Sequence, residues 1–218
     1  RVVEGRVEAS GFALTGGSVT VSAFVHAGVF GDVPGVLRAT RASVESATLA
    51  TFGVAADNHL RVVTPPELSE VTLTARFDRT SGFERARSEQ RLRRAAISLD
   101  EPVRFEDLRA PPAWVAVDQS TPGRPSFAWD TASGPEEGGG LLELRLLEED
   151  GTLLRQGWVA GGADGVSLPL GASLSSLSRL TVEVRAYVVP GLDLDAFQWS
   201  ELDRGATHLL SRTLELEL

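Results

Sequence analysis

Hydrophobic and polar residues alternate with a period of two along most of the chain. Segments 18–25, 71–77, 142–146 and 180–188 place an apolar side chain at every second position. Because successive side chains of a β-strand point to opposite faces of the sheet, this period predicts strands with one buried and one solvent-facing side. The alternation therefore predicts an all-β protein.

Turn residues divide these predicted strands. Asp150-Gly151 follows the 142–146 segment and predicts a hairpin, since this pair favours the backbone of a tight turn. Ala56-Asp57-Asn58 lies between apolar stretches 47–55 and 59–63 and predicts a second hairpin on the same grounds. The stretch 34–46 fits either a short helix or a long loop between strands, and the sequence leaves both open.

A double proline, Pro111-Pro112, marks a domain boundary, because proline lacks the N–H that a sheet ladder needs and favours an extended connection. The chain has 218 residues, which is comfortable for two domains that each bury a core. We therefore expect two tandem β-sandwich domains of immunoglobulin-like type, at residues 1–108 and 109–218.

The second half resembles a fibronectin type III domain, over about residues 112–218. Trp129 is at the position of that family's second-strand core tryptophan, and Leu174 precedes Leu180 by the spacing of the tyrosine corner. Leucine at 180 departs from the family pattern, so the corner hydrogen bond cannot form. The resemblance implies a β-sandwich without catalytic residues.

The first half is similar to the transthyretin-like sandwich that accompanies carboxypeptidases as a regulatory domain. This resemblance rests on Val3-Glu4-Gly5-Arg6-Val7, the alternation that follows it at 19–21, the Asp57-Asn58 turn and Gly82-Phe83. Tandem pairs of this kind resemble those of bacterial envelope proteins and lipoproteins. There they act as spacers, adhesion modules or attachment platforms, a likeness of fold rather than of site.

Composition narrows the possible partners and compartments. The formal net charge of −9 argues against nucleic acid, whose binding requires clustered cationic side chains. No apolar run approaches the ~20 residues that span a bilayer, and cysteine is absent, so disulfides are excluded. Since the chain starts at Arg1 and lacks methionine, we expect that a secretory or lipoprotein signal has been removed.

The sequence contains no recognisable catalytic motif. It has neither cysteine nor a Gly-x-Ser-x-Gly elbow, and His26, His59 and His208 lie too far apart in sequence to form a spaced ligand pair. Two acidic clusters, 136–137 and 148–150, are candidates for glycoside hydrolysis by residue type alone. Both fall in predicted glycine-containing loops and are expected to be solvated, so we predict that the protein is not an enzyme.

Cations and cofactors receive little support from the sequence. Four carboxylates near the C-terminus offer the oxygen ligands that calcium prefers, namely Asp193, Asp195, Glu201 and Asp203. They do not form a recognisable six-ligand motif, so the sequence leaves calcium binding open. The arginine-rich stretch 85–94 contains Glu89 and is expected to be a solvated strand or helix edge, with a patch for an acidic partner as the alternative. We predict no metal and no cofactor.

Four tryptophans supply the remaining candidates. Trp129 is assigned to the core and Trp114 to the domain junction, whereas Trp158 and Trp199 are candidates for stacking on a sugar ring, with partial burial at a sheet edge as the alternative.

The sequence thus predicts a non-catalytic structural or protein-binding module outside a bacterial cell, either a lipoprotein or a subunit of a larger assembly such as a polymer. Its partners would be other envelope or extracellular proteins, bound through sheet edges and loops. The alternative is a glycan-binding appendage that uses Trp158 and Trp199.

Overall fold

The computed structural model describes most of the chain as β-strands, which confirms the all-β prediction. The residues that it describes are 2–26, 34–62, 70–95, 99–118, 126–130, 135, 139–163, 165–167, 179–194, 196, 198, 199, 202 and 205–217. The chain divides into two compact units. The first comprises residues 1–79 and 88–110, and the second comprises residues 80–87 and 111–218.

Ten strands lie before the double proline in the described residues. They are β1 (Val2–Val3), β2 (Gly5–Ser10), β3 (Ser18–His26), β4 (Pro34–Arg41), β5 (Ser43–Val44), β6 (Leu49–Phe52), β7 (Leu60–Arg61), β8 (Glu70–Ser81), β9 (Glu84–Ala95) and β10 (Val103–Arg109).

Seven strands follow the double proline in the part of the chain that the structure describes. They are β11 (Ala113–Asp118), β12 (Ser126–Asp130), β13 (Gly140–Leu147), β14 (Leu153–Ala160), β15 (Gly165–Ser167), β16 (Arg179–Val188) and β17 (His208–Glu217).

The first unit is built from two main sheets. One has the strand order β10-β2-β6-β5, and the other contains β9, β8, β3 and β4 in that order. Strands β2 and β10 run parallel, with Gly5 opposite Val103 and Ser10 opposite Arg109. Gly5 permits this pairing, because a Cβ at that position would lie 2.0 Å from the Val103 carbonyl oxygen.

Both sheets contribute to one apolar core, as the alternation predicts. Strand β3 buries Val19, Val21 and Ala23, whereas the intervening positions are partly exposed. Phe52 and Phe105 pack 6.3 Å apart between ring centroids in the same core. The period of two thus specifies the inner face of β3, whereas in β8 the residues predicted to face solvent, Thr72 and Thr74, are buried as well.

Residues 34–46, for which the sequence leaves a short helix and a long loop as alternatives, form neither. They form strands β4 and β5, and β4 pairs with β3 in antiparallel register from Pro34 to Arg41. A bulge between Ala23 and Phe24 interrupts this pairing, and such a shift breaks the simple alternation from which a strand is predicted.

The predicted hairpin around Asp57-Asn58 is wrong. Strand β6 pairs with β2 and β5, whereas β7 pairs with β1, so the chain passes from one sheet to another at this loop. Asn58 is buried here. Its Oδ1 accepts a hydrogen bond from the Ala55 N–H at 2.9 Å, and its Nδ2 donates to Ser43 Oγ at 3.1 Å. Asn58 thus makes the side-chain hydrogen bonds that are typical of a turn, but this turn lies in a loop between two sheets rather than in a hairpin.

The second unit is a sandwich of a three-stranded sheet, β11-β12-β15, and a sheet in the order β14-β13-β16-β17. The hairpin predicted at Asp150-Gly151 joins β13 to β14. Gly151 has a φ of 87°, and the Asp150 carboxylate accepts a hydrogen bond from the Thr152 N–H at 2.8 Å. This bond also lowers the pKa of Asp150. The local turn signal therefore predicts this connection correctly.

Arg212 on β17 fixes two other segments of the second unit. Its Nε donates to the Pro112 carbonyl oxygen at 2.8 Å, and its guanidinium lies 3.2 Å from the Glu84 carboxylate. Glu84 belongs to the tip of the β8–β9 hairpin, which is grouped with this unit. Residues 80–87 precede the double proline, so their position in the sequence does not predict that they group with the second half.

Candidate ligand-binding site

Described residues of the connection from β16 to β17 pack against the outer face of the β14-β13-β16 strands. Leu202 and Ala206 on this connection are buried together with Leu141 and Val189, forming a second, smaller apolar cluster in this unit. Trp199 and Leu202 have helical backbone conformation. Connections of more than about 12–15 residues are uncommon in compact domains and are usually functional.

An aromatic patch lies beside this cluster and consists of Trp158, Tyr187 and Trp199. The ring centroids of Trp158 and Trp199 are 4.8 Å apart with an interplanar angle of 58°, and those of Trp158 and Tyr187 are 5.7 Å apart at 37°. Trp199 is 59% exposed, whereas Trp158 and Tyr187 are half-buried. The two tryptophans named from the sequence are therefore in contact.

Strand register explains why Trp158 and Tyr187 share a face. Trp158 lies opposite Glu143 in the β13–β14 pair, and Tyr187 lies opposite Leu141 in the β13–β16 pair. Glu143 and Leu141 are two residues apart on β13, so both point to the same side of the sheet. The β16–β17 connection then brings Trp199 onto that side.

A polar network adjoins the aromatic patch. It is centred on Glu143, which is only 3% exposed. Its carboxylate accepts hydrogen bonds from Gln156 Nε2 at 2.6 Å and from the Tyr187 hydroxyl at 3.0 Å. Tyr187 therefore belongs to both the patch and the network. Hydrogen bonds to a charged acceptor are stronger than those between neutral groups.

Two arginines and a second glutamate complete the polar network as a closed ring of alternating charges. Arg145 lies 3.6 Å from Glu143 and 2.9 Å from Glu183, and Arg185 lies 3.8 Å from Glu143 and 3.0 Å from Glu183. All four residues occupy cross-strand positions on β13 and β16. The ring is neutral, and each guanidinium is shared by two carboxylates.

The environment of the patch shifts two titrating groups. Burial raises the pKa of Tyr187, and the negative charge of Glu143 raises it further. For Arg185, burial acts to lower the pKa, but the hydrogen bond and the charge of Glu183 outweigh it and the pKa is raised. The phenol therefore stays protonated and the guanidinium stays charged near neutral pH.

The other two tryptophans lie inside the second unit. Trp129 is buried, as predicted, and its Nε1 donates to the Ala163 carbonyl oxygen at 2.9 Å. Trp114 packs against Trp129 and Phe127, with ring centroids 6.4 and 6.3 Å away. It thus contributes to the core of this unit, where the sequence had assigned it to the domain junction.

The remaining candidates do not converge in the part of the chain that the structure describes. Asp193 is exposed, whereas Asp195, Glu201 and Asp203 lie outside the described residues, as do Glu136 and Glu137 and also Leu174. Among the described residues, no group of three histidine, aspartate or glutamate side chains could hold a metal ion. His59 and His208 are in different units, and the side chain of His26 is not described.

Residues that sequence reasoning missed are Tyr187, Glu143 and Gln156. Opposite charges at matching positions of neighbouring strands are a recognisable signal of cross-strand pairing. The sequence has Glu-x-Arg at 143–145 and again at 183–185, and the antiparallel register places Glu143 opposite Arg185 and Arg145 opposite Glu183.

No helix of the described residues is long and apolar enough to cross a membrane.

Comparison with known proteins identifies no family. No protein-family model matches the chain, and no curated protein matches it by sequence. Among solved structures, the chain is similar to a DUF3823 family protein from Bacteroides ovatus ATCC 8483, with 8% identity, a TM-score of 0.36 and 100% of both chains covered. It is also similar to a tetra-tandem repeat in the extending region of a large adhesion protein, with 14% identity, a TM-score of 0.29, and 100% of this chain and 49% of that chain covered. At these TM-scores the likeness carries no argument about function.

Proposed function

We propose that this protein is a non-catalytic binding module of the bacterial cell exterior, and that it binds a glycan through the aromatic patch of its second unit. The observation that carries the proposal is the contact between Trp158 and Trp199 at 4.8 Å, with Trp199 59% exposed. An exposed indole beside polar groups offers both an apolar face and hydrogen-bonding partners to a ligand.

Support for a binding role comes from the way the indole is held. Leu202, three residues after Trp199, is buried in the apolar cluster, so the chain is anchored to the sheet close to Trp199. Trp158 packs against the ring of Tyr187, whose hydroxyl donates a hydrogen bond to the Glu143 carboxylate. A ligand would meet a preformed surface and would not have to order it, which favours affinity.

The polar network is unsuited to acid–base catalysis. Glu143 already accepts hydrogen bonds from Gln156 and Tyr187, and it faces the guanidiniums of Arg145 and Arg185. A general base must reach a proton of the substrate at hydrogen-bond distance. A carboxylate engaged on both oxygens lacks that access, and we therefore assign Glu143 to orienting the patch.

The domain types predicted from the sequence are part of the same proposal, with boundaries at residues 1–108 and 109–218. In the described part of the second unit, seven strands follow the double proline: three form the sheet β11-β12-β15, and four are neighbours in the order β14-β13-β16-β17. Trp129 lies on the second of the seven, β12. This arrangement supports a fibronectin type III-like sandwich. The location outside the cell rests on the family resemblances.

Affinity electrophoresis in gels containing soluble polysaccharides tests the glycan function. We expect retardation of the wild-type chain by at least one polymer of a panel that includes hydroxyethylcellulose, galactomannan, dextran and their charged derivatives. Trp199→Ala should weaken that retardation about 30-fold, since truncating an aromatic anchor at a binding surface costs about 2 kcal/mol. Because Trp199 is largely exposed, the variant should fold.

Phe83→Ala is the matched control, because Phe83 is also an exposed aromatic residue, at 68%, but is not in the patch. It should bind as the wild type does. If no polymer retards the wild type, or if Trp199→Ala and Phe83→Ala behave alike, the patch is not a glycan site.

Attachment to another protein is the second candidate. Strand β14 is at the edge of its sheet and pairs only with β13 among the described strands. An edge strand can accept an additional strand from a partner chain. Co-purification with an envelope complex that persists in Trp199→Ala would favour this function over glycan binding.

A further inference from the structure

We infer that the aromatic patch selects a neutral glycan, bound by stacking on the indole of Trp199, and rejects both anionic polysaccharides and compact cations. This inference rests on the proposed function and adds the chemical class of the ligand. It follows from two independent features, the spacing of the rings and the distribution of charge around them.

Ring spacing distinguishes a stacking platform from a cation cage. In a cage, aromatic rings surround an ammonium group that lies within about 6 Å of each ring centroid, so the rings must stand apart to admit it. Here the centroids of Trp158 and Trp199 are only 4.8 Å apart, and those of Trp158 and Tyr187 are 5.7 Å apart. The rings touch each other and leave no space between them. Only an outer face is available, and it suits a flat apolar ligand surface.

Charge around the patch disfavours an anionic ligand. The two guanidiniums beside it, those of Arg145 and Arg185, are each already shared between Glu143 and Glu183. An anion that recruited either of them would break this neutral ring and leave a carboxylate unpaired, which is costly for Glu143 because it is buried.

The connection that carries Trp199 adds to this selectivity. By sequence, residues 189–207 contain four acidic residues and one arginine, a formal charge of −3. The whole chain is also acidic, at −9. A polyanion would therefore meet repulsion both near the site and at long range, whereas a neutral polymer would not.

The class of ligand that remains is a polymer of uncharged sugar rings. The ring of a hexose with equatorial substituents presents a flat face of C–H groups, which can lie against an indole. Its hydroxyl groups project sideways, towards side chains such as Gln156, which is exposed and whose amide is oriented by the Glu143 carboxylate. Stacking and hydrogen bonding of neutral groups involve no counterion release, so this binding should be insensitive to salt.

Affinity electrophoresis with charge-matched polymers tests the inference. The pairs are hydroxyethylcellulose with carboxymethylcellulose and dextran with dextran sulfate, in which the backbone is shared and the charge differs. We expect retardation by at least one neutral polymer, at least about tenfold weaker retardation by its anionic partner, since like-charge contacts are strongly unfavourable at a binding surface, and no change on adding salt. Free choline should not compete.

Each outcome bears on one proposal or the other. If an anionic polymer binds as well as its neutral partner and Trp199→Ala abolishes both interactions, the patch is a glycan site but the inference of neutrality is wrong. Competition by choline would overturn the platform geometry. If no polymer retards the wild-type chain, the glycan function itself fails, and the inference fails with it.

Discussion

Replacing Glu143 by glutamine tests whether the polar network supports the aromatic patch. The substitution keeps the shape of the side chain but removes the charge at the centre of the network. One oxygen remains to accept a hydrogen bond, while the new NH₂ group faces donors, namely Gln156 or Tyr187. Either the Gln156 N–H loses its acceptor, or the Tyr187 hydroxyl must turn from donor to acceptor; in both cases a hydrogen bond to a charged carboxylate is lost.

The expected loss of stability follows from the burial of Glu143 and from the ion pairs that the two arginines keep. Removing one partner of a buried ion pair costs about 3–5 kcal/mol. Arg145 and Arg185 are 21% and 33% exposed and both keep Glu183, so solvent and the second carboxylate compensate in part. We expect Glu143→Gln to lower the free energy of unfolding of the second unit by about 2 kcal/mol.

The chain offers selective probes for this measurement. All four tryptophans lie at or beyond residue 114, in the second unit, so tryptophan fluorescence during urea unfolding reports on that unit. Glu89→Gln is a matched control, since Glu89 is also a partly buried glutamate paired with an arginine, at 2.7 Å from Arg91, but in the first unit. It should leave the fluorescence transition unchanged.

Tyr187 provides a second readout, because it is the only tyrosine in the chain. Its pKa is raised in the folded state by burial and by Glu143, above the value of about 10 expected when unfolded. The phenol therefore contributes stability that is fully present below about pH 10 and is lost as the pH rises through the folded pKa. In Glu143→Gln the charge is gone, so ultraviolet titration of tyrosinate should give a lower pKa than in the wild type.

Unchanged urea midpoint together with an unchanged tyrosine titration would refute this account. The polar network would then play no part in holding the aromatic patch in place.

Two further substitutions test features outside the patch. Arg212→Ala removes the hydrogen bonds to Pro112 and Glu84, and we expect it to destabilise the second unit by about 1.5–3 kcal/mol in urea unfolding followed by tryptophan fluorescence; a loss below about 0.5 kcal/mol would mean that solvent replaces both bonds. Asn58→Ala leaves the Ala55 N–H without its acceptor, and we expect it to lower the free energy of unfolding by about 1–3 kcal/mol. Urea unfolding followed by circular dichroism measures this loss. An unchanged free energy of unfolding would show that the loop between β6 and β7 does not depend on this hydrogen bond.

Local patterns account for the parts of the fold that the sequence predicts well. The β13–β14 hairpin depends on alternation and on the conformation of Gly151, both of which are properties of neighbouring residues. The burial of Trp129 follows in the same way from its place in an alternating segment. These features need no knowledge of which strands are partners.

Long-range pairing explains what the sequence does not predict. The Asp57-Asn58 turn has the residues of a hairpin, yet β6 and β7 join different sheets because their partners come from elsewhere in the chain. The contact of Trp158 with Trp199 likewise requires the β16–β17 connection to fold back over the sheet. Spacing along the sequence names these two tryptophans as candidates but does not bring them together.

The parallel pairing of β2 with β10 has a mechanical consequence. β2 starts near the N-terminus, and β10 ends where the chain leaves the first unit. A pull on these two points acts on opposite ends of a parallel pair, so the load runs along the strands and falls on all their hydrogen bonds at once. An antiparallel hairpin pulled at its two open ends would instead lose its bonds one by one. Tension applied at these two points thus shears β2 against β10, the direction in which a ladder of hydrogen bonds resists most.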